Sequence, residues 1–99
     1  MKIKLVIEGQ EKEFVQSFVP GRVFRKTLEM QKQLSEGVQA ETVDSLIDFI
    51  VSAFGNQFTF DQCYDGIDAR KVLTTVVAIC EEIINGGSEA IGAEPDPNA

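Results

Sequence analysis

At Pro20-Gly21 the hydrophobic pattern of this chain changes period from two to 3.6 and never changes back, which confines strands to the residues before it. Lys2 to Glu8 alternates: Ile3, Leu5 and Ile7 face one way, and Lys2, Lys4 and Glu8 face the other, as in a half-buried strand. Glu8-Gly9-Gln10-Glu11 reads as a turn. Glu13 to Val19 reads as a second strand, with Phe14 and Phe18 on one face and Val15 and Val19 on the other. A lone pair of strands is marginal in water, so the hairpin must lie on helices or gain a strand from a partner. The expected fold class is α+β, an N-terminal antiparallel β-hairpin followed by a small bundle of about four helices.

The spacing predicts a first helix from Arg22 to Leu34, with Val23, Thr27, Met30 and Leu34 inward and Phe24 and Leu28 on the adjoining flank. Its opposite arc holds Arg22, Arg25, Lys26 and Lys32, so four of the nine basic residues share one exposed face, a candidate docking surface for an acidic partner helix. After a linker from Ser35 to Glu41, Thr42 is the expected N-cap of a second helix ending at Phe54. Val43, Leu46, Ile47, Ile50 and Phe54 form its main stripe, and Phe49, Val51 and Ala53 widen it beyond what one neighbouring helix covers. Either the hairpin and the last helix complete the burial, or part of the surplus around Phe49, Ile50 and Val51 receives a partner.

From Phe54 to Gly66 the chain alternates helix stops and starts. Gly55-Asn56 can take the left-handed backbone that ends a helix, and Thr59 with Gln62 has capping-box spacing for a short helix around Phe60 to Tyr64. Phe58, Phe60 and Tyr64 are expected to tie this hinge into the core. Asp68 caps a helix from Ala69 to Asn85, and Gly86-Gly87 stops it. Residues 1–87 thus read as a single domain and 88–99 as a flexible acidic tail, too poor in apolar side chains to order itself.

Composition narrows the function. Without histidine or tryptophan the chain lacks the commonest general base and metal ligand, which argues against an enzyme. A net charge of −7 argues against nucleic-acid binding. Cys63 and Cys80 lie in apolar segments and read as buried, reduced thiols. Met1 leads straight into the strand pattern, with no secretory signal and no run near the ~18 apolar residues of a membrane span, so the chain reads as soluble and intracellular.

Two motif matches fail on context. Asp44-Ser45-Leu46 reproduces the tripeptide at which acyl carrier proteins take their arm, but those are all-helical bundles and this chain opens with a hairpin. Asp61-x-Cys63-x-Asp65-Gly66 resembles the start of a calcium loop, yet cysteine is a poor ligand for a hard cation and Val72 stands where a bidentate glutamate is needed. No catalytic, cofactor-binding or metal-binding residues are expected, and an interaction protein remains.

Phe18-Val19-Pro20-Gly21-Arg22-Val23-Phe24-Arg25-Lys26, and Phe54-Gly55-Asn56-Gln57-Phe58-Thr59 followed by Tyr64-Asp65-Gly66, give the chain its likeness to a known family. From residue 2 to about 85 it resembles the tail assembly chaperones of long-tailed phages of Gram-positive bacteria. The resemblance implies a non-enzymatic chaperone that binds the tape measure protein, keeps it soluble, and helps tail tube protein polymerise around it. It also implies a chaperone of the host cytoplasm that is absent from the mature virion; separately, the unpaired edge of a two-stranded hairpin and Phe49 off the main stripe predict a homo-oligomer. In many members a ribosomal frameshift makes a longer product that recruits tube protein, and the tail here suits the shorter one. The partner-binding residues expected on this reading are Phe49, Ile50 and Val51 together with Arg22, Arg25 and Lys26. The alternative is a small acidic regulator or inhibitor that occupies a basic groove on another protein.

Overall fold

The computed structural model describes residues 1–93. It has the α+β order expected: β1 (Lys2–Ile7), β2 (Gln10–Val15), α1 (Gly21–Ser35), α2 (Ala40–Ala53), α3 (Phe60–Gly66), a 3-10 turn (Ala69–Lys71) and α4 (Val72–Ala93). The strands pair antiparallel, with Ile7 opposite Gln10 and Lys2 opposite Val15. Ile3 and Leu5 are buried and Ile7 is half-buried, as the alternation requires.

The second strand starts earlier and ends earlier than the expected Glu13–Val19. Its turn is only Glu8-Gly9, with φ of +54° and +79°, so both central residues take the left-handed geometry that matches strand twist and pairing resumes at Gln10. Beyond Val15 the chain leaves the sheet, although the Gln16 N–H still donates to the Met1 carbonyl at 2.9 Å. Phe18 therefore stands on no strand face and is 73% exposed.

In α1, Val23, Thr27 and Met30 are buried, and the Thr27 hydroxyl is satisfied by donating to the Val23 carbonyl at 2.8 Å. Helix α2 begins at Ala40, not after Thr42. Thr42 instead occupies the third helical position, and its hydroxyl accepts the Gln39 N–H at 3.2 Å. The other end follows the sequence: Gly55 and Asn56 both have positive φ, with Gly55 N–H on the Ser52 carbonyl (3.0 Å) and Asn56 N–H on the Val51 carbonyl (3.0 Å). That pair of bonds is a Schellman stop. Thr59 and Gln62 form the expected reciprocal cap, at 3.0 and 2.9 Å.

Of the hinge aromatics only Phe58 enters the core, packed edge-on to Phe14 (4.8 Å) and tilted against Phe54 (5.8 Å). Phe60 and Tyr64 pair with each other at 5.3 Å on the outside of α3. Gln57 closes the hinge onto the sheet: its side-chain amide donates to the Val15 carbonyl (2.8 Å) and the Gln16 side chain (2.7 Å).

Asp68 caps the 3-10 turn by accepting from the Arg70 N–H at 2.9 Å. Helix α4 does not stop at Gly86-Gly87 but runs to Ala93. Neither glycine is forced to a left-handed φ by its sequence, and the glutamate and alanines that follow favour helix. The last six residues of the expected tail lie outside the described residues. Val76, Ile79 and Cys80 of α4 complete one core with α2, Ile3, Leu5, Val23, Met30, Phe58 and Cys63.

Candidate functional site

The candidate surface is built on α1. Arg22, Arg25, Lys26 and Lys32 stand against Glu29 alone, leaving a surplus of three positive charges on this helix in a chain of net charge −7. Two of the cations are engaged. Arg25 Nε meets Glu29 Oε2 at 3.4 Å, but with the side chains 85% and 60% exposed the pair contributes no more than about 0.5 kcal/mol. Lys26 Nζ spans to Asp48 Oδ2 and Ser52 Oγ, both at 3.3 Å, and so ties α1 to α2. Arg22 and Lys32 have no acidic partner among the described residues.

Beside these cations the helix exposes apolar side chains. Phe24 and Leu28 are a helical turn apart and remain 46% and 48% exposed. Phe24 also walls an open groove of about 370 Å³ between the β2–α1 connection and α4, where Val19, Pro20, Ile83 and Gly86 are further walls. On α4, Leu73 and Val77 are likewise a turn apart and exposed. The flank position of Phe24 and Leu28 was readable from the helical spacing, although neither was expected at the contact. Phe18 was hidden by its assignment to a strand.

The expected residues of α2 lie elsewhere. Phe49, Ile50 and Val51 are 2%, 0% and 7% exposed, because α1, α3 and α4 together cover the wide stripe that one neighbour would have left open. The six expected residues are therefore divided between the core and the α1 surface. Lys26 and Phe49 share an open cleft of about 370 Å³ between α1, α2 and the start of α3 that is also lined by Glu29, Met30, Asp44, Asp48 and Phe60, and Lys26 shares a second, of about 300 Å³, with Arg22.

Titratable groups outside α1 have local explanations. Tyr64 has a raised pKa because its hydroxyl hydrogen-bonds to Asp44, whose negative charge disfavours phenolate. Cys63 and Cys80 are free and buried, and burial pushes the Cys63 thiol up to about 11. Among the described residues no group of Cys, Asp and Glu gathers as a metal-ligand set, and no helix is long and apolar enough to cross a membrane.

The profile of a family described as phage tail chaperone protein matches residues 1–97, which takes in the segment after Ser88 that the sequence likeness left out. No curated protein and no solved structure matches.

Proposed function

The chain belongs to the phage tail chaperone family, and from that premise we propose that it binds the tape measure protein, keeps it soluble in the host cytoplasm, and promotes tail tube assembly without catalysing a reaction. The observation that carries the reading is a surface one. The chain closes its own core, down to Phe49 at 2% exposure, yet leaves Phe24 and Leu28 open to water beside the basic face of α1 and Phe18 exposed on the connection that precedes it. Large exposed side chains of this kind, rimmed by charge, suit a helical client with an apolar stripe.

Of the expected contact residues, Arg22 and Arg25 stand on this face, Lys26 and Phe49 line the cleft next to it, and Ile50 and Val51 form the packed layer below. Self-association, and recruitment of tail tube protein through a longer frameshifted product, belong to the same reading. Family membership favours it over the acidic regulator. The test is co-expression with the tape measure protein encoded in the same genome. The client should move from the insoluble to the soluble fraction and co-purify with this chain; a client that stays insoluble removes the reading.

A further inference from the structure

The apolar and basic side chains of α1 form one continuous surface. Leu28 lies a turn after Phe24, Lys32 a turn after Leu28, and Arg25 three residues before Leu28, so these four project from adjoining strips of the helix. Phe24 and Leu28 are each nearly half exposed, Arg25 is 85% exposed, and Lys32 has no acidic partner among the described residues. With 15 residues, α1 offers an edge about 22 Å long, room for several turns of a second helix. The surplus of three positive charges on α1 stands out against a chain whose net charge is −7, so an anionic partner is repelled by most of the molecule and attracted here.

We infer that the outer face of α1 docks an acidic amphipathic helix of a partner protein, its apolar stripe covering Phe24 and Leu28 while its carboxylates pair with Arg25 and Lys32. The inference rests on the chaperone reading only for the identity of that partner. Helical geometry favours a helix as the occupant: exposed apolar residues one turn apart match an i, i+4 stripe, and flanking guanidinium and ammonium groups match carboxylates on its borders. The Arg25–Glu29 pair is exposed and weak, so Arg25 can exchange its intrahelical partner for an incoming carboxylate at little cost.

Two labelled synthetic helical peptides with the same leucine stripe, one flanked by glutamate and one by lysine, are titrated into the full chain and followed by fluorescence anisotropy. The glutamate peptide should bind roughly tenfold or more tightly than the lysine peptide, and raising the salt should narrow the difference. Arg25→Glu with Lys32→Glu should abolish or invert the preference, whereas Leu28→Ser should weaken both peptides alike. All of these positions are exposed, and circular dichroism verifies that the variants stay folded. Equal binding of the two peptides, an unchanged preference in the charge-reversed chain, or amide NMR shifts confined to α2–α4 would overturn the proposal. So would a wild-type oligomer that the charge reversal splits while neither peptide binds, since the face would then belong to a second copy. Co-expression separates the two readings. If the charge-reversed chain solubilises the tape measure protein as well as the wild type, the docking face fails and the chaperone role stands; if neither chain does, a preference for the glutamate peptide upholds the face with a different partner.

Discussion

Gly66 lies so close to Val6 that a β-carbon built on it would sit 2.6 Å from the Val6 carbonyl oxygen and 3.2 Å from its backbone nitrogen. The C-terminal end of α3 is thereby laid directly on β1, covering the outer edge of a two-stranded sheet that would otherwise be left open. Gly66 is also the last residue of α3. Its φ is not left-handed, and close backbone approach is what requires it.

Replacing Gly66 with alanine should therefore destabilise the fold by about 1–3 kcal/mol, because the neighbour is backbone and cannot rotate away. Urea denaturation measures this, and a variant as stable as the wild type would show that α3 can shift off β1 freely.

The Gln57 side chain joins the hinge to the end of β2 through two hydrogen bonds. Gln57→Ala should cost about 0.5–1.5 kcal/mol and speed amide exchange around Gln16 and Phe18, while leaving exchange in α4 unchanged. Uniform acceleration across the chain would mean that Gln57 supports the global fold and not this junction alone.

Asp68 is held down to about 2, from an ordinary 3.8, first by its side-chain bonds to Arg70 and then by the Arg70 N–H. A depressed folded pKa contributes stability above the unfolded value that disappears as pH falls, so this contribution should be lost between about pH 4 and pH 2. The group is exposed and the effect is correspondingly small. Comparing Asp68→Asn with the wild type at pH 5, 3 and 2 should show a stability difference that closes on acidification; a constant difference would count against the Arg70 pairing as its cause.

Cys63 has the opposite sign. Its thiol is raised from 9.0 to about 11 by burial, so the neutral form supports the fold fully below pH 9 and that support is lost as pH rises toward 11. Iodoacetamide at pH 8 should leave both Cys63 and Cys80 unmodified in the native chain and label both in urea, as read by mass spectrometry. Rapid labelling of either one in the native chain would show that its segment opens.

Much of the fold is written in local patterns. The alternation of Ile3, Leu5 and Ile7, the Gly55-Asn56 stop, and the Thr59–Gln62 cap each depend on neighbours within a few residues, and each is where the sequence puts it. The start of β2 was misplaced because a two-residue turn with Glu8 left-handed has no strong residue signature at its first position. The expected end of α4 failed because a glycine pair only weakens a helix and does not forbid it. The site was half readable. Periodicity showed the basic arc of α1 and the flank position of Phe24 and Leu28, but whether the wide stripe of α2 stays open depends on how many elements converge on it, which is a tertiary fact.

That convergence changes what a mutation of α2 can report. Phe49 is 2% exposed and sits in the core with Ile50 and Ala53, so Phe49→Asp places a carboxylate where it has neither water nor a partner. The expected loss is at least 3–5 kcal/mol, enough to unfold many small domains, and loss of client binding in that variant would reflect a missing fold. Leu28→Ser carries the functional question instead, since Leu28 is 48% exposed and its removal should change stability by less than about 1 kcal/mol. The two variants should then separate cleanly: Phe49→Asp with its thermal transition lowered or absent, and Leu28→Ser with a wild-type transition but less tape measure protein in the soluble fraction. A Phe49→Asp chain that melts like the wild type yet releases its client would reverse the assignment, showing that Phe49 turns outward when the partner arrives and that the contact surface lies on α2 after all.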